Sequence, residues 1–319
     1  MLTPESQIDN LLKKNRFHGS WLIIGPFGVG KRDFARRLSS FLLTGDWNKD
    51  ISTHPDIKWI ERSFSEEVKK DIQKTILAGK SVDTQELKNA ARKSEITVDD
   101  IRAGLKFLSL KPSGSSKRIL VIELADDMNQ NAANALLKAL EEPAPNTIIL
   151  LLCENLGKLL STIRSRCRKI TIRPLSTKEL IQKIKTMIPD CSDPDFLAEI
   201  SRGSLGMARL INSENGTLIY QKIQSFQKPF SELDIEKVNQ FADGLVKNEA
   251  QYQLFKYFLL NMISDFLKMK AIQHDASYEF WEHFYQNTHT LFNDTENLYL
   301  DKKQTIINTI MQMAQGFDI

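Results

Sequence analysis

The sequence predicts an α/β domain with a parallel sheet, followed by two all-α domains. Three observations predict it. Apolar runs at 21–24, 118–122 and 147–152 read as buried strands, with a further strand at 57–60, and continuous apolar character suits strands covered on both faces. A glycine-rich loop, Gly25-Pro26-Phe27-Gly28-Val29-Gly30-Lys31, joins the first of these runs to an amphipathic helix. From Ser176 onward the apolar spacing is helical. The expected division is 1–174 for the α/β domain, 175–230 for a small helical domain and 231–319 for a C-terminal helical domain.

The elements follow in order. Residues 6–16 predict a short amphipathic helix with Ile8, Leu11 and Leu12 inward. Trp21-Leu22-Ile23-Ile24 is the first strand, and the next helix turns Phe34, Leu38, Phe41 and Leu42 to one face. Strand, glycine loop, helix is the context of a phosphate-binding loop (P-loop). Its glycines let backbone N–H groups turn toward a phosphate, the helix N-terminus adds partial positive charge, and Lys31 adds a full one. Gly25, Gly28, Gly30 and Lys31 are therefore candidate binding residues. The next position calls for Ser or Thr, whose hydroxyl ligates Mg²⁺. Here it is Arg32, which has no lone pair for a cation. The loop is suited to a phosphate and poorly made for a metal–nucleotide complex; the alternative is a turn kept only for strand-to-helix geometry.

Residues 44–56 read as loop, with His54-Pro55-Asp56 leading into the strand at 57–60. His54 has no second His or Cys nearby and reads as a turn residue. Residues 61–95 are highly charged with scattered Val68, Ile72, Ile76 and Leu77, a surface helix or insertion. Thr97 is placed as an N-cap before Asp99 and Asp100, opening a helix with Ile101, Leu105 and Leu108 inward. Residues 111–117 form a turn before the strand at 118–122, which ends in Glu123-Leu124. Asp126 and Asp127 are expected to cap the turn and the following helix start.

The densest block is 131–167. Ala133, Leu136, Leu137 and Leu140 give a helix face, Pro143 and Pro145 stop it, and a strand follows at 147–152. A basic turn ending Ser165-Arg166-Cys167 follows, with Arg164, Arg166, Arg168 and Lys169 within six positions. A short charge cluster is most often a solvated face. The strand at 169–172 ends the first domain, and Arg173-Pro174 reads as a hinge. Ser176 and Glu179 form a capping box. Short helices follow, broken by Pro189, Pro194 and Gly203-Ser204-Leu205-Gly206. Leu254, Phe255, Phe258, Leu259, Met262, Phe266 and Met269 make an apolar stripe, read as core or helix–helix interface. The last domain carries no catalytic triad or metal cluster.

Composition narrows the classes. A chain of 319 residues exceeds one typical core. With 41% hydrophobic and 26% charged residues it reads as an ordinary soluble protein. A net charge of +3 argues against non-specific phosphate binding over the whole surface. Cys153, Cys167 and Cys191 fit no zinc or disulfide spacing, so free thiols in a reducing compartment are expected. The start, MLTPESQIDNLLKK, is read as neither a secretory signal nor a transit peptide. No apolar run approaches the roughly 18 residues that span a bilayer. A cytoplasmic protein without a membrane partner is expected.

Four motifs then fall into one known order: Gly25–Lys31, His54-Pro55-Asp56, Asn134-Ala135-Leu136-Leu137-Lys138-Ala139-Leu140-Glu141-Glu142-Pro143, and Thr162-Ile163-Arg164-Ser165-Arg166-Cys167. In these the chain resembles the clamp-loader subunits of bacterial DNA polymerase III, in the AAA+ superfamily. The NALLK-x-LEEP run followed by T-I-x-SRC carries the specificity. The motifs cover about residues 1–175; the helical remainder fits the family layout by length and pattern only.

The resemblance implies a five-subunit ring that opens a sliding clamp and places it on primed DNA. In an active member two acids end the third strand: the first helps hold Mg²⁺, the second polarises water. Glu123 fits the first role; Leu124 has no base for the second. A phosphate-sensing arginine is expected where Met207 stands, with Arg209 two positions off. The sensor after the 147–152 strand falls at Cys153 or Glu154. These departures resemble the delta-prime branch, whose nucleotide site is degraded, rather than the motor branch. That branch implies no ATP turnover and no required cofactor, with ATP or ADP binding left open. It also implies Arg166 offered in trans as an arginine finger, Ser165 and Cys167 shaping its turn, and motor (gamma/tau) and delta subunits as partners. Many relatives carry a four-cysteine zinc module before His-Pro-Asp; residues 43–53 hold no cysteine, so no zinc or other metal is expected. The rival readings are an active motor subunit using Asp126 or Asp127 as base, a P-loop nucleotide kinase, and a scaffold in which Arg166 makes only interface salt bridges.

Overall fold

Strands β1 (Ser20–Ile24), β2 (Ile57–Ile60), β3 (Arg118–Ile122), β4 (Thr147–Cys153) and β5 (Arg168–Thr171) form one sheet in the order β2-β3-β4-β1-β5. Every pairing is parallel. The structure is a computed structural model and describes residues 18–63, 68 and 95–318. The helix expected at 6–16 and most of the charged segment 61–95 lie outside the described residues.

Helix α1 (Lys31–Thr44) covers one face of the sheet and α2 (Val98–Leu108), α3 (Gln130–Glu141) and α4 (Ser161–Arg166) the other. Side chains alternate across a strand. Trp21, Ile23, Val121, Leu150 and Leu152 therefore meet Phe34, Leu38 and Leu42 of α1. Leu22, Leu120, Ile149 and Leu151 meet Ile101, Leu136, Leu140 and Ile163 on the opposite side. All seven residues of β4 are buried, as its unbroken apolar run requires. Phe41, expected inward, is only partly buried and stacks on Trp47 with ring centroids 4.7 Å apart.

Local signals account for the element ends. Thr97 and Asp100 form a capping box at the start of α2. Ser176 and Glu179 form the one expected at α5 (Thr177–Met187). Two expectations are corrected. The cap of α3 is Asn129, whose side chain accepts from the Ala132 N–H at 2.9 Å, not Asp126 or Asp127. Thr162–Arg166, read as a basic turn, is helical, and only Cys167 lies beyond the last helical residue. The six-residue α4 is too short to show a period; Ile163 is its one buried side chain.

Asp56 is fully buried beside the start of β3. It accepts N–H bonds from Ser113 (2.7 Å), Gly114 (2.7 Å) and Ser115 (2.9 Å) and lies 3.6 Å from Arg118. Burial works against its charge, but these hydrogen bonds prevail and hold its carboxyl below the usual range. The His-Pro-Asp turn therefore anchors the 111–117 loop.

Met1–Pro174 and Leu175–Ile319 form two compact units. In the second, α5 is followed by α6 (Pro194–Ile200), α7 (Leu205–Ser213), α8 (Gly216–Ser225), α9 (Ile235–Leu245), α10 (Glu249–Gln273), α11 (Tyr278–Asn297) and α12 (Lys302–Gln315). Pro194 begins α6 behind the Asp193 cap rather than breaking a helix, a position where its missing N–H costs nothing. One apolar cluster runs from Leu180 to Ala314, so the expected boundary near 230 falls within a shared core. The α10 stripe is buried from Leu254 to Met262; Phe266 is partly buried and Met269 exposed.

Candidate phosphate loop and arginine site

The loop after β1, Glu123 after β3 and Glu154 after β4 all leave the carboxyl edge of the sheet. The strand order reverses at β1, between β4 and β5, and such switch points are where open parallel sheets bind ligands. Gly28 and Gly30 have positive φ, 71° and 100°, a conformation glycine adopts without strain. A Cβ on Gly25 would lie 2.5 Å from the Ile172 carbonyl oxygen, so this glycine is fixed by close approach to the chain after β5.

Lys31 is buried. Its Nζ donates to the carbonyls of Gly25 and Pro26, each at 2.8 Å, and to Glu154 Oε1 at 2.9 Å. An ammonium has three donors, and all three are engaged within the chain. The Glu154 carboxylate thus pairs with the charge that a phosphate would use. Glu154 is placed for this by Asp126, which accepts the N–H groups of Glu154 (3.2 Å) and Asn155 (2.8 Å).

Arg32 fills the neighbouring position with a fixed cation. Its guanidinium meets Glu123 at 3.0 Å and Glu61 at 2.7 Å, and it sits 5.4 Å from the Trp59 ring centroid. Burial, opposed by Arg32 and reinforced by Glu61, pushes the Glu123 carboxyl up to about 7. Leu124 follows with φ 66°, in the left-handed region that costs a residue other than Gly, Asn or Asp about 1 kcal/mol or more. Asp127 is paired with Arg62 at 2.9 Å. Both acids offered as replacements for the missing base are thus engaged, Asp126 with backbone and Asp127 with arginine. As placed, these side chains do not fit a magnesium–nucleotide complex: the lysine is spent, and an arginine stands where the metal ligand would. Among the described residues no group of three His, Cys, Asp or Glu is placed to hold a metal.

Arg166 ends α4. Its Nε donates to Glu141 Oε1 at 2.6 Å, Nη2 pairs with the same oxygen, and Nη1 donates to the Thr162 carbonyl at 2.9 Å. Ser165 Oγ also donates to the Thr162 carbonyl, at 3.0 Å. Cys167 is buried, and burial pushes its thiol up to about 12. Cys153 is likewise pushed up to about 12 by burial, with Asp126 beside it adding to the effect. Neither thiol is a nucleophile at neutral pH; Cys167 is a packing residue. Arg168 and Lys169 are exposed and Arg164 is partly buried. In the second unit Met207 is buried in the first turn of α7, whereas Arg209 is exposed against Met187.

The structure thus gathers Lys31, Arg32, Glu123 and Glu154 into one group, and Arg166, Ser165 and Cys167 into another with Glu141. Sequence reading missed the work of Glu154, Asp126, Glu141 and Asp56. Asp56 and Glu141 stood inside the His-Pro-Asp and NALLK-x-LEEP motifs and Glu154 at the sensor position, but no local pattern named the partner of any of them.

The family model described as DNA polymerase III, delta subunit, matches residues 3–176, more than half of the chain. Subunit delta' of DNA polymerase III from Pseudomonas aeruginosa is 31% identical over 161 residues, 46% of this chain and 41% of that protein. Subunit delta' from Bacillus subtilis is 31% identical over 176 residues, 55% of this chain and 48% of that protein. Subunit gamma from Buchnera aphidicola is 30% identical over 183 residues, 57% and 45% respectively. The chain spans about half the length, or less, of these relatives. A solved DNA polymerase III gamma subunit-related protein from Thermotoga maritima is 17% identical, covers 97% of this chain and 99% of that one, and has a TM-score of 0.44. No described helix is long and apolar enough to cross a membrane. With the family model matched across the whole parallel-sheet unit, the chain belongs to the clamp-loader subunits of DNA polymerase III in the AAA+ superfamily.

Proposed function

We propose that this chain is the delta-prime, or stator, subunit of a bacterial clamp loader. In this reading it holds a fixed place in a ring with motor (gamma/tau) and delta subunits. It turns over no ATP itself and helps load the sliding clamp onto primed DNA. Residues 175–230 act as the lid segment and 231–319 as the collar segment. Arg166 reaches ATP bound on the adjacent motor subunit.

The observation that carries this reading is a count of donors. Lys31 has three N–H groups, and all three are used inside the chain. Arg166 has five; three are used, and the second hydrogens of Nη1 and Nη2 meet only a 3.5 Å contact to Ser165 Oγ among the described residues. A guanidinium with two N–H groups to spare can pair with two phosphate oxygens. This count supports a reading in which Arg166 meets the phosphates of a nucleotide held by another subunit.

The test is a reconstituted complex carrying Arg166→Ala. Assembly is expected to be unchanged, and clamp- and DNA-stimulated ATPase of the complex to fall by roughly 10³-fold at the site Arg166 faces, the lower range for arginine fingers. Wild-type ATPase from this variant would leave Arg166 an interface residue only. Magnesium-dependent turnover by the isolated chain would make it a motor subunit.

A further inference from the structure

We propose that Glu141 is the positioning residue for Arg166, a brace that aims the guanidinium outward. The inference rests on the finger reading above and deepens it.

Glu141 is the last residue of α3 and Arg166 the last of α4. Both helices pack on the same face of the sheet, where Leu136, Leu140, Ile163 and Cys167 share one core. The two side chains thus spring from bases fixed by packing. The arginine side chain carries about 2 kcal/mol of rotamer entropy, and a finger that wanders loses most of its effect. Here the inner side of the guanidinium is held at three points: Nε and Nη2 on Glu141 Oε1, and Nη1 on the Thr162 carbonyl. One hydrogen each on Nη1 and Nη2 remains, with only a 3.5 Å contact to Ser165 Oγ among the described residues. Glu141 therefore occupies the edge a phosphate would not need and leaves the other available.

The pair is not a structural salt bridge of the core. The Arg166 side chain is 33% exposed and that of Glu141 47%. Exposed pairs contribute only about 0–1 kcal/mol to stability, so fold stability gives little account of this acid. Glu141 and Arg166 lie within the two runs that mark the family resemblance, NALLK-x-LEEP and T-I-x-SRC, and the runs meet at this contact.

The experiment compares Glu141→Ala, Glu141→Gln, Arg166→Ala and the double variant in the reconstituted complex, reading kcat, KM for ATP, assembly and the thermal midpoint of the chain. For Glu141→Ala, kcat is expected to fall about 10- to 100-fold, as for a misplaced catalytic group. KM, assembly and midpoint stay at wild-type values. Glu141→Gln keeps an acceptor oxygen and recovers most of the rate. The double variant is no slower than Arg166→Ala, because both substitutions remove one function. A slow Arg166→Ala beside a wild-type or faster Glu141→Ala overturns the brace and leaves the finger. A wild-type Arg166→Ala overturns the finger, and the brace with it. A lowered midpoint or impaired assembly in Glu141→Ala that accounts for the rate loss makes Glu141 structural and overturns the proposal.

Discussion

Lys31 and Arg166 each sit against a carboxylate, yet the chemistry left to them differs. The ammonium is small, buried and fully bonded; the guanidinium is wide enough to be held on one edge and open on another. Removing the Glu154 carboxylate frees one Lys31 donor and one local charge. Arg32→Ser together with Glu154→Ala is therefore expected to bind Mg–ADP at least about tenfold tighter than the unsubstituted chain, a change of about 1.4 kcal/mol, readable by calorimetry on the isolated protein. Equal affinities would show that the loop is closed by something other than the ion pairs of Glu154 and Arg32. Glu123 offers a second handle. Burial raises its carboxyl from the ordinary range to about 7, so in that window the folded chain holds more proton than the unfolded one. Stability contributed by this group is then present at low pH and lost as pH rises toward 7. In urea denaturation Glu123→Gln is expected to lose less stability than the wild type between about pH 5 and pH 8. Arg32 and Leu124 were legible as lesions because each occupies a motif position. The Lys31–Glu154 pair was not, because its members are 123 residues apart and no local pattern names a charge's partner.

Strands and long helices declare themselves by period and caps. The strands at 57–60 and 118–122 and the Ser176–Glu179 box were placed from local chemistry alone, and the structure has them at those residues. What the sequence withheld at this scale was of two kinds. Helix α4 has a single buried side chain and no period to read. The strand order depends on long crossovers, to which side-chain alternation is blind. The His-Pro-Asp turn shows how a loop motif can serve the framework. Asp56 carries three backbone N–H bonds and faces Arg118 with no exposure of its own. Asp56→Ala removes the carboxylate 3.6 Å from the buried Arg118, which keeps its bonds to the Lys111 carbonyl, and leaves three amides without their acceptor. The expected cost is about 3–5 kcal/mol, checked by chemical denaturation. A loss under about 1 kcal/mol would mean that water replaces the carboxylate and that the 111–117 loop is held by other bonds. Gly25→Ala is expected to destabilise as well, because its methyl would meet a backbone oxygen rather than a yielding side chain.

At the scale of the whole chain the apolar residues, not the loops, decide what folds together. Each unit has cores of its own, so residues 175–319 are expected to fold when expressed alone, with one cooperative loss of helical signal in urea. The shorter fragment 175–230 is expected to stay unfolded. Its α8 face cannot be buried without later helices: Tyr220 meets Phe258 at 5.2 Å between ring centroids, Phe226 meets Phe241 at 5.6 Å, and a Cβ on Gly216 would already touch Leu254. Exposing such aromatic surface forfeits about 1.5–3 kcal/mol per large side chain, so that losing two or more consumes most of the roughly 3–8 kcal/mol a domain of about fifty residues has in reserve. The segments before and after residue 230 thus share one core. Phe255 is the sharpest probe of that core: it is fully buried and packs against Phe241 and Phe292. Phe255→Ala in the 175–319 fragment is expected to cost about 3–5 kcal/mol and to lower a single transition. Two transitions, with only the later one shifted, would instead mark the segments before and after residue 230 as independent folding units.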